Sequence, residues 1–203
     1  LSHLWTSYRT RTAERYTEDQ LEAVVRSGSK PDRTELWGMP SHLFTQLSDD
    51  DLAAVIAFLR SKPPAGAVLP PPFFEDGGRK EIADGTFKSA PTDVREQGQA
   101  WPPDAGPEHA LGRYVVRATC AECHQMDLGG GEPYPGAKPR PDLRVIVSAY
   151  SKGDFETLMR TGKAVGHRDL ELMSEVARGR YSHFTERELD ALYAYLQAVA
   201  AKP

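Results

Sequence analysis

The chain has 203 residues, which is enough for one large domain or two small ones. Its formal net charge is -4, whereas a nucleic-acid-binding protein is expected to show a basic excess or a basic stripe. The sequence has no apolar run of the length needed to span a bilayer, so its composition favours a globular protein.

Two amphipathic helices are predicted between residues 16 and 62. The first ends at Gly28, because glycine is a common helix stop. The second begins after Ser48 with three aspartates in its first turn, and its apolar residues from Leu52 to Leu59 recur with helical spacing. Pro63 ends this helix.

The remaining segments also favour helices. Residues 63–108 are rich in proline and glycine, which predicts a long linker with one short helix near residues 79–83. A further helix runs from Leu111 into a cysteine motif, and Thr185 with Glu188 forms a capping box at the start of the last helix. The predicted fold class is therefore all-α.

The two helical segments resemble each other at a constant offset, which indicates an internal repeat. We interpret residues 1–62 and 109–203 as two related helical domains joined by the linker at 63–108. The matching pairs are Tyr16 and Tyr150, Leu21 and Phe155, Arg26 and Arg160, Gly28 and Gly162, and Met39 and Met173 at an offset of 134, then Leu52 and Leu189, Phe58 and Tyr195, and Leu59 and Leu196 at an offset of 137.

The first copy has no counterpart of the cysteine motif. At the offset of 134, the partner of Cys120 would fall before Leu1, and the first residues do not have the layout of a signal peptide. Two explanations are open: an upstream part is missing from this sequence, or the first domain has lost its motif. We favour the missing part, so residues 1–62 are predicted to be the C-terminal portion of a domain.

The cysteine motif is Cys120-Ala121-Glu122-Cys123-His124, and the chain has just two cysteines. Cys-x-x-Cys-His is a signature of c-type haem attachment. The thiols of Cys120 and Cys123 can add to the two haem vinyl groups, and the His124 imidazole can then bind the iron from one side. This spacing places both sulfurs along one helical turn.

Three other interpretations of the cysteine pair are weaker. A zinc site needs about four nitrogen or sulfur ligands, and the sequence has no second ligand pair. A thioredoxin-like dithiol would lie beside a βαβ pattern, and no strands are predicted. A structural disulfide across three residues of a helix would strain the bond geometry.

The second axial ligand of the iron should be a soft sulfur or an imidazole from the opposite side. We favour Met173, because its counterpart Met39 lies at the same place in the first copy, and both are predicted in loops rather than on core faces. Met126 is too close to His124 along the chain, and Met159 matches the apolar Val25 in the first copy. His167 and His183 remain possible ligands.

The pattern resembles class I c-type cytochromes, and more narrowly their two-domain dihaem form. The resemblance implies that the carbonyl of Pro141 orients His124, that Met39 is the sixth ligand of a first haem, and that one haem c is bound here with a second possible. It also implies that Tyr150 lies against the haem, together with Tyr114, Leu143, Phe155, Leu158 and Tyr181. The residues that carry it are Gly112 to Val115, Cys120 to His124, Pro141 to Leu143, Tyr150 to Gly162, Met173, and Leu189 to Leu196.

The function implied by this resemblance is electron transfer with histidine and methionine as axial ligands. The chain would be a carrier, or the cytochrome subunit of a periplasmic oxidoreductase, and not an enzyme itself. Its expected partners are redox proteins such as dehydrogenase or oxidase subunits, with membrane association through them and a location outside the cytoplasmic membrane. The alternative is a haem enzyme, peroxidase-like or sulfur-oxidising, with an open or exchangeable sixth site.

Overall fold

A computed structural model of the chain describes residues 16–32, 35–63, 73–133 and 136–202. The chain divides into two compact units, residues 1–99 and residues 100–203, which we call the first and second units. The predictions about the chain start and about residues 64–72 of the linker lie outside the described residues. Within the described ranges, no helix combines the length and the apolar character that crossing a membrane requires.

The first unit is helical, and its core lies between two helices that carry cap residues. Thr17 and Gln20 form a capping box at the start of the first helix, and Gly28 closes it in a left-handed conformation. The core consists of Leu21, Val25, Leu52 and Ile56. The helices are α1 (Glu18–Ser27), α2 (Ser41–Phe44), α3 (Asp49–Arg60), α4 (Asp76–Asp84) and α5 (Ala90–Gln97).

The segment predicted as a linker contains more structure than expected. The helix expected near residues 79–83 is present as α4, whereas α5 was not predicted. Proline is tolerated in the first turn of a helix, so Pro91 does not break α5. Ala90 packs so closely against Gly28 that a Cβ atom on Gly28 would lie 2.6 Å from the Ala90 Cβ. Residues 73–99 therefore belong to the first unit.

The second unit is also mostly helical, as predicted, with one small addition. Two short antiparallel strands, β1 (Lys163–Ala164) and β2 (Arg168–Asp169), pair where no strand was predicted. The capping box of Thr185 and Glu188 is confirmed. The helices are α6 (Ala110–Thr119), α7 (Ala121–His124), α8 (Leu143–Ile146), α9 (Lys152–Thr161), α10 (Leu172–Gly179) and α11 (Glu186–Ala200).

Helices α6 and α11 cross at Gly112. A Cβ atom at this position would lie 2.5 Å from the Tyr195 Cβ and even closer to the Ala191 carbonyl oxygen. Tyr195 is fully buried, and its hydroxyl donates to the Pro103 carbonyl oxygen at 2.8 Å. Arg117 similarly donates from Nε to the Ala100 carbonyl oxygen at 3.0 Å. Residues 100–103, predicted as linker, are therefore held by the second unit.

The helix bounds follow the offsets of the internal repeat. Helix α1 (Glu18–Ser27) and helix α9 (Lys152–Thr161) have the same length, and each starts and ends 134 residues from the other. Helix α3 starts at Asp49 and helix α11 starts at Glu186, which is an offset of 137. The two units therefore share a helical framework as well as a sequence pattern.

An arginine joins the same two places in each unit. Arg26 donates to the Leu47 carbonyl oxygen at 2.8 Å, and Arg160 donates to the Phe184 carbonyl oxygen at 2.5 Å. Leu47 and Phe184 are related by the offset of 137. Each arginine therefore ties the end of one helix to the segment just before the last helix of the framework.

A side chain near the end of that last helix makes a second matched contact. Arg60 in the first unit donates to the Tyr16 carbonyl oxygen at 3.0 Å. Gln197 in the second unit donates to the Tyr150 carbonyl oxygen at 3.2 Å. In this second matched contact the acceptor carbonyls correspond in the two copies, although the donor side chains differ.

We predict that Gly112→Ala destabilises the second unit by about 1–3 kcal/mol, because the added methyl group forces α6 and α11 apart. The matched control is Gly153→Ala in α9, where a Cβ atom meets nothing within 4 Å and alanine is the better helix former. Denaturant unfolding monitored by far-UV circular dichroism measures the free energy of unfolding of both variants. Equal stability of the two variants would contradict the close packing.

Candidate functional site

The cysteine motif forms one helical turn at the wall of a cavity in the second unit. The backbone N–H groups of Cys123 and His124 both donate to the Cys120 carbonyl oxygen, at 3.1 and 3.0 Å. The two thiols are free, and no disulfide joins them. Both cysteines and His124 line a cavity of about 360 Å³.

Most of the cavity wall is apolar, as the sequence predicted for the surroundings of a haem. Tyr114 is the exception, because it packs on the core without lining the cavity. The other residues predicted to surround the haem all line the cavity: Leu143, Tyr150, Phe155, Leu158 and Tyr181. Four charged side chains also line the cavity and were not predicted: Lys138, Arg140, Asp169 and Glu171. Nothing in the Pro- and Gly-rich loop marks Lys138 and Arg140 as facing a cavity.

His124 is buried and held by one hydrogen bond. Its Nδ1–H donates to the Pro141 carbonyl oxygen at 3.0 Å, the contact that the sequence resemblance implied. Burial lowers the pKa of His124, the bond to Pro141 opposes this, and the positive charge of Arg140 lowers it further. The imidazole is therefore neutral at pH 7, with its second nitrogen unprotonated, which is the form that binds a metal ion.

The loop that supplies Pro141 is fixed by backbone pairing. Gly131 and Arg140 exchange two hydrogen bonds at 2.9 and 2.8 Å, and the Leu143 N–H donates to the Leu128 carbonyl oxygen at 2.9 Å. Gly130 has a φ of +71°, and a Cβ atom there would lie 2.6 Å from the Pro141 carbonyl oxygen. Glycine is required here because the chain turns directly against the acceptor of the His124 hydrogen bond.

The two thiols are poorly ionised. Burial raises the pKa of Cys120 to about 11, and burial also raises the pKa of Cys123. Reactive dithiols work through a thiolate, and their pKa values are lowered rather than raised. The electrostatics therefore disfavour the redox-dithiol interpretation of this pair.

Met173 lies in the wall of the same cavity, at the start of α10 rather than in the loop predicted for it. It is half-buried. The next residue, Ser174, is fully buried; its hydroxyl donates to the Gly162 carbonyl oxygen at 2.5 Å and accepts from the Leu170 N–H at 2.7 Å. These two bonds fix the first turn of α10 and thereby the position of the methionine.

The other ligand candidates are placed less favourably. Met159 is buried in the core, as predicted, and also contributes to the cavity wall. Met126, His167 and His183 do not line the cavity, and both histidines are exposed. The structure thus brings two thioether groups to the cavity, of which one belongs to a core residue.

Met39 occupies the loop before α2, as predicted, and packs partly buried against the core of the first unit. Packing therefore accounts for an apolar side chain at this position. Its assignment as a ligand of a first haem stays a prediction.

Two thiols and an imidazole, the groups of the Cys-x-x-Cys-His signature, line a mostly apolar cavity together with two thioether groups. Among the described residues, no group of three or more His, Cys, Asp or Glu side chains could hold a metal ion. This counts against the zinc interpretation, because a structural zinc site takes about four such ligands.

The comparisons with known proteins agree with this site. Residues 109–200 match the family model for cytochrome c. Residues 109–200 therefore resemble a cytochrome c domain, and the cofactor of this family is covalently bound haem c.

Two relatives extend the similarity beyond that domain. The cytochrome c subunits of the quinone-type alcohol dehydrogenases of Gluconacetobacter polyoxogenes and Komagataeibacter europaeus are each 25% identical to this chain over 217 residues. The matches cover 93% of this chain but 45% of each relative, so the chain spans about half the length of the relatives it matches.

We predict that Gly130→Ala impairs the site more than Gly131→Ala. Both glycines have a positive φ, so both substitutions carry backbone strain of about 1–3 kcal/mol. Only at Gly130 would the methyl group also clash with the carbonyl oxygens of Arg140 and Pro141, whereas at Gly131 it would meet nothing within 4 Å. The two variants are compared by their denaturant midpoints and by the amount of covalent haem. Equal losses of stability and haem in both would contradict the requirement for glycine at position 130.

Proposed function

We propose that this chain transfers electrons through one haem c, held by thioether bonds to Cys120 and Cys123, with His124 and Met173 as axial ligands. The observation that carries the proposal is that both thiols, the imidazole and the Met173 thioether line one apolar cavity. With both axial positions filled by protein side chains, no position is left for a substrate, which favours a carrier over the haem-enzyme alternative.

Haem c supplies one-electron transfer between ferric and ferrous iron, and the residues around it set how readily this occurs. The hydrogen bond from His124 to Pro141 fixes the ring and its tautomer. Methionine is a soft, neutral donor that favours ferrous iron. The apolar wall, which includes Phe155 and Leu158, excludes water and disfavours the additional charge of the ferric form.

We further propose that the electron donor or acceptor is a dehydrogenase, with this chain as its cytochrome subunit on the outer side of the cytoplasmic membrane. The similarity to cytochrome subunits of quinone alcohol dehydrogenases supports the class of partner. The net charge of -4 suggests a basic docking surface on that partner.

We also propose that the chain represents the two-domain dihaem form, in which Met39 ligates a second haem. The support is the shared framework of the two units, including the matched hydrogen bonds of Arg26 and Arg160.

Exchange of Met173 for leucine tests the axial ligand while keeping the side-chain volume similar. We expect Met173→Leu to abolish the far-red charge-transfer band from methionine sulfur to ferric iron and to lower the reduction potential. The matched control is Met159→Leu, which alters the other thioether of the cavity wall and should keep the band. Loss of the band in the control instead would assign the ligand to Met159, and an unchanged spectrum in both variants would favour an open or different sixth site.

The number of haems is tested by the pyridine haemochrome assay together with the intact mass of the native protein. The dihaem proposal predicts a haem-to-protein ratio near two. A ratio near one would show that the first unit binds no haem and that Met39 is structural.

A further inference from the structure

Arg140 is a charged residue in the cavity wall whose Nε atom has no hydrogen-bond partner in the part of the chain that the structure describes. It is half-buried and lines the cavity beside Cys123 and His124. Its Nε atom is buried and has no hydrogen-bond partner among the described residues. A buried polar group without a partner is costly, more so when it is charged, so it requires a physical explanation.

The other cation of the cavity wall has its own carboxylate. Lys138 donates to both carboxylate oxygens of Glu171 at 2.7 Å. Glu171 also feels the charge of Arg140, which contributes to lowering the pKa of that carboxyl group, but the two residues form no hydrogen bond or ion pair in the part of the chain that is described. The guanidinium group of Arg140 therefore has a charge to be matched by something outside the described chain.

The backbone holds Arg140 at the cavity. Its N–H and carbonyl groups both pair with Gly131, and the next residue provides the carbonyl that accepts from His124. The positive charge of Arg140 also acts on the cavity, since it contributes to lowering the pKa values of both Cys123 and His124.

We propose that Arg140 binds a carboxylate group of the haem, so that the unsatisfied Nε–H and the charge of the guanidinium are both matched when the cofactor is in place. Haem has two propionate side chains, and a planar guanidinium group can donate two parallel hydrogen bonds to one carboxylate. This inference rests on the proposed function, because it requires haem in the cavity.

Arg140 then has an electrostatic effect on electron transfer as well as a binding role. A positive charge fixed near the iron, and a carboxylate neutralised by it, both disfavour the ferric form. Removal of the charge should therefore stabilise the ferric form and lower the reduction potential. Because the site is partly buried, solvent and salt screen this effect less than they would at the surface.

The test compares Arg140→Gln with Arg144→Gln in the haem-loaded chain. Arg144 lies four residues further along, in helix α8, is paired with Asp142 at 2.7 Å and does not line the cavity. Its substitution therefore removes the same charge from a nearby position outside the cavity wall. We expect Arg140→Gln to favour the ferric form about tenfold, which equals a fall of about 59 mV in midpoint potential. Arg144→Gln should change the potential by much less.

Arg140→Lys separates charge from geometry, because lysine keeps the charge but cannot donate in the planar fork. We expect its potential to lie between those of the wild type and Arg140→Gln. A potential in Arg140→Gln that is unchanged, or shifted no more than in Arg144→Gln, would overturn the proposal.

A crystal structure of the haem-loaded wild type provides the direct measurement. The proposal requires a guanidinium nitrogen of Arg140 at about 2.7–2.9 Å from a propionate oxygen. A propionate bound elsewhere, with covalent haem present, would refute the role of Arg140 and leave the proposed function intact. Absence of covalent haem from the wild type would refute the proposed function itself.

Discussion

The imidazole of His124 lies in an apolar environment, and its Nδ1–H donates to the carbonyl oxygen of Pro141. Burial disfavours the charged form of the ring, and the hydrogen bond selects one tautomer and one orientation of the neutral form. The backbone pairing between Gly131 and Arg140 holds the acceptor in place. The short turn with both cysteines, the loop after it and the cavity wall are therefore arranged around this one bond.

The same loop places two cations, Lys138 and Arg140, in the wall of a mostly apolar cavity. Lys138 is neutralised by Glu171 inside the protein, whereas Arg140 has no such partner among the described residues. Lys138 and Glu171 form a surface ion pair, which contributes little to stability. Arg140, in contrast, is positioned to act on the cofactor. The two cations therefore differ in role because one pairs with a carboxylate of the protein and the other is proposed to pair with a carboxylate of the haem.

Much of this site was predictable because local spacing determines it. The Cys-x-x-Cys-His spacing predicted the turn that holds Cys120 and His124, and the repeat directed attention to Met173. Helix α10 was not predicted and Met173 was expected in a loop, because this helix has no side-chain cap and its first turn is held by the buried hydroxyl of Ser174 and its contact with Gly162. The role of Arg140 was not predictable, because burial and missing partners arise only from tertiary packing.

The paired arginine contacts have a consequence for how the two copies can exchange sequence. Arg26 and Arg160 each bind a backbone carbonyl, and a carbonyl is present whatever side chain occupies the accepting position. Leucine at position 47 and phenylalanine at position 184 therefore accept equally well. Recombination between the copies, within the segments that these contacts join, would keep both arginines opposite a carbonyl oxygen. The side chains at the two accepting positions can therefore diverge without loss of these hydrogen bonds.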